Sequence, residues 1–472
     1  MTPVSHGSGP TSVALTCYMA LFLVFNAFAV NGVLWLTAPA ITYPNASTAP
    51  FDETVLKHTW DTLRGRGCDD SWGIMAFALD YAQSSHTTPL YTELFFNRKL
   101  KFQYPPSSLF TIAAMFRLAG PEHVRTAECQ VFDLPTLNDI LGWLFILMTA
   151  ASSAALLEIG LRQRQTAAGS RAVLAARSAV VIGLTLTFYP VVKAYSLGQM
   201  QVWINGLFAL ALLGWVLGAK ASSGLLIGLM CLVKPHYGLF LLWAALRGEW
   251  RFTAACASAL TVGVAGSVAA FGWASNVDYL SVFWYLSQHG ETYYPNQSVN
   301  GLLNRFMELS DPVAYESLEF NDNGFPPFNR WVYGGVLATS VLFLSTALLR
   351  RSTEGDPDRK LDFCTMALST TIASPIAWEH HYGILLPIYA VLLVSAIGDR
   401  GRLVCLAVSY VLISNFIPAT NLLAHTIWNV AQSYLFVGAL IVLVLLHGSR
   451  PGWKSARGPI PQPGLMRQGV TG

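Results

Sequence analysis

Residues 14–38 read ALTCYMALFLVFNAFAVNGVLWLTA and carry no charged side chain. An α-helix needs about 20 consecutive apolar residues to cross the ~30 Å hydrocarbon core of a bilayer. The run is longer than the apolar part of a secretory signal peptide, and no Lys or Arg precedes it. We therefore expect it to be retained as a first transmembrane helix.

Apolar runs of this kind recur along the whole chain. Runs that span or nearly span a bilayer lie at 138–160, 172–190, 199–218, 253–273, 331–350, 382–397, 402–418 and 428–447, and shorter ones at 105–120, 222–233, 236–247 and 361–373. Only 12% of the residues are charged and 53% are hydrophobic, whereas about a quarter of a soluble domain is charged because its surface faces water. The sequence predicts an all-α polytopic membrane protein.

Arg and Lys in short loops predict which helix ends lie inside. They cluster at Arg162, Arg164 and Arg171, at Arg247 and Arg251, at Arg350, Arg351, Arg359 and Lys360, at Arg400 and Arg402, and at Arg450, Lys454 and Arg457. Placing all of these loops and the N-terminus inside gives about twelve crossings. Residues 105–120 then enter without crossing or lie along the interface, while 222–233 and 236–247 meet on the outer side at Lys234-Pro235-His236.

This topology predicts one membrane domain, residues 1–450, with its long polar segments on the outer face. The first outer loop, 39–137, includes the re-entrant or interfacial helix, and a second large outer loop covers 274–330. The tail 451–472 is rich in Pro and Gly, which predicts a disordered cytoplasmic segment. No internal repeat is present, unlike in many secondary transporters.

Charge and cysteine content exclude several classes of function. The net charge of +3 is small and dispersed, and no basic patch interleaved with aromatic residues suggests nucleic acid as a partner. The seven cysteines form no CxxC pair and no Cys/His metal spacing. We expect neither a metal ion nor a cofactor, and membrane lipids as the surrounding partners.

Two outer segments carry charges that could act in catalysis or binding. Asp69 and Asp70 precede an amphipathic stretch; one of them could be a general base, or they could cap a helix. Lys234 lies at a helix break, where an intramembrane cation is costly unless it is paired or faces water. It either contacts an anion or extends its ammonium to the membrane surface.

Further polar and aromatic residues cluster on the predicted outer face. His380 and His381 follow Trp378 and Glu379 at the start of an apolar run, where imidazoles could donate to a phosphate and Glu379 could hold one tautomer, or the histidines could be merely interfacial. The basic stretch that leads to Tyr104 is either a phosphate site or an interfacial anchor. Amide side chains suited to sugar hydroxyls are Gln199, Asn205, Asn296 and Gln297.

The order of these motifs resembles glycosyltransferase family 87, the polyprenol-phosphate-mannose-dependent mannosyltransferase-like proteins. The resemblance covers roughly residues 60 to 400. It rests on an Asp of the first outer loop, then Pro89-Leu90-Tyr91, Tyr104-Pro105-Pro106, Gly198-Gln199 with Asn205, Lys234-Pro235, Asn296-Gln297-Ser298 and Ser374-Pro375-Ile376-Ala377-Trp378 with His380-His381.

The resemblance implies a GT-C-type helix bundle with a cavity facing the periplasm or exterior of an inner (plasma) membrane. It implies a polyprenyl-phosphate-linked sugar donor, with mannose the best-known sugar, and a lipid or cell-envelope glycan acceptor. Asp70 takes the role of base, with Asp69 as the second candidate, and His380, His381 and Lys234 contact the donor phosphate. Tyr104, Trp378 and Glu379 join the four amides as predicted substrate-binding residues.

This resemblance predicts an inverting transfer that needs one base and no nucleophilic carboxylate. A transporter or flippase of lipid-linked sugars is the alternative, because it would share the aromatic vestibule and the phosphate-binding cations. A membrane scaffold ranks third, because it would not need a lysine at a helix break.

The predicted topology places Cys68 and Cys129 outside, where disulfides persist. We therefore expect a bridge between these two residues. The other cysteines lie in or near predicted membrane helices, where a thiol packs as a small apolar side chain.

Overall fold

The computed structural model describes residues 12–37, 54–68, 70–84, 87–121, 136–164, 169–307, 325–349, 359–423 and 426–448. Asp69, Cys129 and the predicted tail 451–472 lie outside these ranges. The described residues form helices and one isolated β-bridge, between Asn296 and Trp378. The predicted all-α fold is therefore confirmed.

The α-helices of the described residues are α1 (Ser12–Val24), α2 (Asn31–Thr37), α3 (Val55–Leu63), α4 (Asp70–Gln83), α5 (Leu109–Ala119), α6 (Leu137–Gln163), α7 (Arg171–Leu186), α8 (Tyr189–Ser196), α9 (Gln201–Val216), α10 (Lys220–Cys231), α11 (Leu239–Leu246), α12 (Trp250–His289), α13 (Val299–Met307), α14 (Arg330–Leu349), α15 (Arg359–Ala373), α16 (Leu385–Ala396), α17 (Arg400–Ile413) and α18 (Tyr434–His447). Short π- or 3-10-helical segments are Phe25–Val30, Thr92–Asn97, Pro106–Ser108, Pro235–Gly238, Glu379–Ile384, Pro418–Leu423 and Ile427–Ser433.

Each predicted apolar run is helical over most of its length, and several helices can cross a membrane. In the described ranges, five helices combine sufficient length with apolar composition: Ser12–Leu34, Leu137–Gln163, Trp250–His289, Arg330–Leu349 and Ile427–His447. The bent pair α7 and α8, with an angle of 57°, would make a sixth. A polytopic membrane protein is thus supported, while the predicted count of about twelve crossings is not confirmed.

The difference in number arises at six predicted crossings whose helices have only 8 to 16 residues, namely α9, α10, α11, α15, α16 and α17. At 1.5 Å per residue, α10 with 12 residues and α11 with 8 are each too short to cross the hydrocarbon core. The same holds for the 11 residues of α5, in the segment predicted to enter without crossing. Lys234 between α10 and the turn Pro235–Gly238 is extended (φ −130°, ψ 92°), so the predicted break at this lysine is present.

The predicted outer loop 274–330 is partly helical. The helix α12 continues through it to His289, interrupted only at Gly272, whose φ of 80° lies in the left-handed region that favours glycine. The half of α12 after Gly272 exposes large apolar side chains, among them Trp273, Leu280 and Trp284. Gly272 therefore separates a membrane-crossing half from a second apolar half.

Small residues let α10 pack closely against α12. A Cβ atom added at Gly224 would lie 2.2 Å from the carbonyl oxygen of Phe252, and one at Gly228 would lie 2.6 Å from the Cβ of Ala259. Two glycines four residues apart lie on one helix face and allow such backbone approach in membrane bundles. This contact places the end of α10, and hence Lys234, beside α12.

Basic side chains gather at one end of the bundle, which we call the basic end and define by Arg164, Arg247, Arg359 and Arg402. Arg164 donates to the carbonyl oxygens of Ile397 (2.9 Å) and Ser395 (3.2 Å) at the end of α16. Arg359 pairs with Glu249 at 2.9 Å. The loops predicted to lie inside therefore meet in space.

The Arg247–Asp362 ion pair joins three helices at the basic end. Arg247 forms two hydrogen bonds to the Asp362 carboxylate and donates to the carbonyl oxygens of Ala347 (2.9 Å) and Leu348 (3.2 Å). The side chains of Arg247 and Asp362 are 9% and 1% exposed. Losing one partner would leave a charge buried without compensation.

We expect Asp362→Ala to lower the free energy of unfolding by about 3–5 kcal/mol, because Arg247 would lose its buried counter-charge. The double variant Arg247→Met/Asp362→Leu removes both charges, and its free energy of unfolding should decrease much less. Thermal unfolding in detergent compares the two. An unchanged melting temperature for Asp362→Ala would contradict this account of the pair.

Candidate functional site

A cavity of about 490 Å³ lies at the end of the bundle opposite the basic end. The helices α9, α10, α11 and α15 each run from this cavity to the basic end. Its lining includes these predicted site residues: Asp70, Tyr104, Gln199, Lys234, Trp378, His380 and His381. Segments up to about 300 residues apart in the chain therefore meet at one place, as the predicted outer face requires.

Backbone hydrogen bonds place Asp70 in the cavity wall. The amides of Cys68, Asp70 and Ser71 donate to the carbonyl oxygens of residues 196–198 at 2.8, 3.0 and 3.3 Å. Asp70 is the first residue of α4 and its side chain is exposed. The partial positive charge of a helix N-terminus favours an ionised carboxylate there. The Asp70 carboxylate is thus accessible from the cavity.

Asp70 and Ser71 belong to a hydrogen-bond network with Gln199 and Tyr104. The Gln199 Nε2 donates to Asp70 Oδ2, while Gln199 Oε1 accepts from Ser71 Oγ at 2.8 Å and from the Tyr104 hydroxyl at 3.1 Å. Ser71 Oγ and the Tyr104 hydroxyl are 2.8 Å apart. Burial raises the pKa of the Tyr104 hydroxyl above its usual value, so the group stays protonated.

Lys234 projects into the cavity from the break between α10 and α11. Its residue is 9% exposed, and no carboxylate in the described ranges lies within ion-pairing distance of its ammonium. It lies outside the candidate membrane-spanning helices, and burial lowers its pKa well below the usual range. A buried ammonium of this kind is strongly stabilised when an anion binds.

Three imidazoles lie near Lys234 in the same cavity. The His380 and His381 rings are 4.8 Å apart and nearly perpendicular, and His236 lies two residues after Lys234. Burial, followed by the Lys234 charge, lowers the pKa of His236 to about 3 and those of His380 and His381 well below the usual value. These rings are therefore neutral hydrogen-bonding groups until an anion enters.

Asn296 and Gln297 hold the segment that carries the histidines rather than line the cavity. Asn296 Oδ1 accepts from the Ala377 amide at 3.0 Å, and its Nδ2 donates to the carbonyl oxygens of Glu291 (2.9 Å) and Pro375 (3.1 Å). Gln297 Nε2 donates to the carbonyl oxygen of Gln432 at 2.8 Å. The side-chain amides of Asn296 and Gln297 therefore bond to backbone groups of the protein.

Asn205 and Glu379 also lie outside the cavity lining. Asn205 Oδ1 accepts from Gln201 Nε2 at 2.9 Å within α9. Glu379 Oε2 accepts from the Tyr189 hydroxyl at 3.0 Å, and the residue is 1% exposed. Contact of Asn205 and Glu379 with substrate therefore stays a prediction, and the geometry of the cavity does not support it.

Glu291 connects two walls of the cavity, and the sequence prediction did not include it. Its fully buried carboxylate pairs with Lys101 at 3.3 Å and accepts from Trp378 Nε1 at 2.7 Å. The cavity is also lined by Lys101, from the basic stretch that the sequence suggests is either a phosphate site or an interfacial anchor, and by His236 at the predicted helix break. Their proximity to Tyr104 and Lys234 in the chain was the available signal, whereas no sequence pattern marks Glu291.

Cys68 is disulfide-bonded. Its predicted partner, Cys129, lies outside the described residues, so the pairing of these two cysteines stays a prediction. Within the described ranges, the cysteines with free thiols are Cys17, Cys231, Cys256, Cys364 and Cys405. Among the residues that the structure describes, no group of three or more His, Cys, Asp or Glu side chains could hold a metal ion.

We expect Asn296→Ala to destabilise the protein by about 1–3 kcal/mol for each buried polar group left unpaired, namely the Ala377 amide and the Glu291 carbonyl. It should also expose His380 and His381, which follow directly. Thermal unfolding and modification by diethylpyrocarbonate measure both effects. Asn296→Asp keeps the oxygen that accepts from the Ala377 amide, so it should destabilise the protein less. Equal destabilisation by the two variants would show that this hydrogen bond does not hold the segment.

The comparisons with known proteins identify the family. No curated protein and no solved structure matches the chain significantly. The family model described as glycosyltransferase family 87 matches residues 102–375, more than half of the chain. The matched range includes the cavity residues from Gln103 to Pro375, and Asp70 precedes it. The chain belongs to glycosyltransferase family 87.

Proposed function

We propose that the protein transfers a sugar from a polyprenyl-phosphate carrier to a lipid or cell-envelope glycan, with inversion at the anomeric carbon. Family membership indicates a membrane glycosyltransferase. The observation that carries the finer proposal is the arrangement of charge in one cavity: the Asp70 carboxylate on one wall, and Lys234 with three imidazoles on another.

The basic wall suits the leaving group of such a donor. When the glycosidic C–O bond breaks, the electron pair stays on the polyprenyl phosphate, whose negative charge increases. Fixed donors aimed at developing charge are worth most in a site shielded from bulk water. Lys234 supplies a cation, and His380 and His381 supply hydrogen bonds. His236 and Lys101 are further candidates on the same lining.

Asp70 suits the role of base. A hydroxyl of the acceptor attacks the anomeric carbon and forms the new C–O bond, while its proton passes to the Asp70 carboxylate. Because the attack displaces phosphate directly, the anomeric centre inverts and no second carboxylate is needed. Asp69 stays the second candidate, since it lies outside the described residues.

The apolar part of the cavity suits a polyprenyl chain. Phe283, Leu286 and Leu344 line the side formed by α12 and α14, and Phe283 is 53% exposed to the surroundings. Trp378 offers an aromatic face for a sugar ring on the opposite lining, next to His380 (ring centroids 5.7 Å apart). Mannose is the sugar that we propose to test first.

The basic end gives the orientation that we propose for the membrane. Arg and Lys of short loops favour the cytoplasmic side, so the cavity would face the periplasm or exterior of an inner (plasma) membrane. A GT-C-type bundle with about twelve crossings accommodates this orientation, if α10 with α11 forms a broken pair that returns to the inner side.

Transfer of radiolabelled sugar from polyprenyl phosphate to a membrane lipid extract tests the proposal. We expect the wild type to form a labelled product and Asp70→Asn to be slower by about 10²–10⁴-fold, because general base catalysis contributes that much. Full activity in Asp70→Asn would remove Asp70 as the base, and Asp69→Asn would be tested next. Tight donor binding without transfer by the wild type would favour a transporter of lipid-linked sugars.

Lys234→Met should reduce kcat by about 10²–10³-fold, as for the loss of one donor that stabilises transition-state charge. Lys220→Met is the matched control, because it removes a lysine from the other end of α10. Steady-state transfer rates compare the two variants. Equal effects would show that Lys234 acts on stability rather than on the phosphate.

A further inference from the structure

Gln199 lies in the cavity wall, and both the oxygen and the nitrogen of its side-chain amide bond to other protein side chains. We infer that Gln199 is a positioning residue, which fixes the Asp70 carboxylate for catalysis, rather than a residue that contacts the sugar. The inference rests on the proposed function, because it assigns a role relative to the base Asp70. It replaces the contact with sugar hydroxyls that the sequence predicts for Gln199.

The partners of Gln199 determine which way its amide points. An amide carbonyl oxygen only accepts hydrogen bonds, and an amide nitrogen only donates them. Ser71 Oγ and the Tyr104 hydroxyl lie 2.8 and 3.1 Å from Gln199 Oε1. Both hydroxyls can donate or accept, so they suit either orientation of the amide, whereas an ionised carboxylate only accepts. The Asp70 carboxylate therefore sets the orientation: Nε2 donates to Asp70 Oδ2, and Oε1 faces the two hydroxyls.

Backbone contacts of the same residues keep this arrangement in place. The Met200 amide donates to Ser71 Oγ at 3.2 Å, so this hydroxyl has an acceptor role that leaves its hydrogen for another partner. The Gln199 amide donates to the carbonyl oxygen of Ala194 at 2.9 Å, after Gly198 in the left-handed region (φ 67°). Asp70 and Gln199 are thus held to each other by both main chain and side chains.

Burial keeps the hydroxyl groups of this network protonated, so that they can donate hydrogen bonds. Ser71 is 1% exposed, and burial raises the pKa of Tyr104 above its usual value. Tyr104 therefore remains a hydroxyl over the physiological pH range, and it can donate a hydrogen bond at every pH at which the enzyme would act. A hydrogen bond from Gln199 to the ionised form of Asp70 favours that form.

Two experiments distinguish this role from substrate binding. In transfer assays, Gln199→Leu should lower kcat about 10-fold or more with little change in the KM for donor, whereas a sugar contact would raise KM. Gln163→Leu, at the basic end, is the matched control and should change neither. An increase in KM with unchanged kcat would overturn the inference.

The second experiment does not depend on transfer activity. Dicyclohexylcarbodiimide modifies protonated carboxyl groups, and mass spectrometry with fragmentation separates Asp70 from Asp69. We expect the pH of half-modification of Asp70 to rise by about one unit in Gln199→Leu, because the ionised form loses a donor. The other ionisable groups of the cavity, which are the same in both proteins, are Lys101, Tyr104, Lys234, His236, Tyr279, His380 and His381.

An unchanged modification pH would overturn the inference even if the enzyme transfers sugar. A shifted pH in a protein that transfers no sugar would instead support the contact and remove the proposed function. The two failures are therefore separate.

The double variant Ser71→Ala/Tyr104→Phe tests whether the two hydroxyls hold Gln199 in place. Each single variant leaves one hydroxyl to hold Gln199 Oε1, so the rise in modification pH should be small. The double variant removes both hydroxyl partners of Oε1, so the amide is no longer held against Asp70. Its effect should exceed the sum of the two single effects, and simple additivity would contradict the mechanism.

Discussion

An ionic group is costly in the hydrocarbon core, and the arrangement of the whole protein depends on that cost. The long apolar helices leave their charges at two ends. At the basic end the charges are paired, as in Arg247–Asp362 and Arg359–Glu249. At the cavity end Lys234 has no carboxylate within reach among the described residues. A buried lysine without a nearby carboxylate suggests that an anionic ligand binds beside it.

The cavity is assembled by contacts that do no chemistry themselves. The turn 196–198 holds the start of α4, and with it Asp70. Asn296 clamps the segment that leads to His380, and Glu291 joins Lys101 to Trp378. Because each of these contacts is directional, the groups that line the cavity are placed before any substrate binds. Such preorganisation is the main source of electrostatic stabilisation in enzymes.

The cavity groups also influence one another's charge. Burial and the Lys234 ammonium lower the pKa of the neighbouring imidazoles. The imidazoles of the cavity therefore carry little positive charge, and the donor phosphate of the proposed reaction would favour their protonated form. At Asp70, by contrast, the carboxylate accepts a hydrogen bond from the neutral amide of Gln199. This arrangement suits the proposed reaction, which moves a proton to Asp70 and negative charge to the donor phosphate.

The sequence by itself determined the helical membrane architecture, the break at Lys234 and the order of the motifs, because apolar length, Pro235 and residue type are local properties. It also indicated seven of the residues that line the cavity, among them Asp70, Lys234 and His380. Only the tertiary structure decided that Asn296, Gln297 and Glu379 bond to the protein around the cavity, that Glu291 links two of its walls, and that Gln199 points its amide at Asp70. Those outcomes depend on which groups meet across the bundle, and hydrogen-bond partners distant in the chain leave no local pattern.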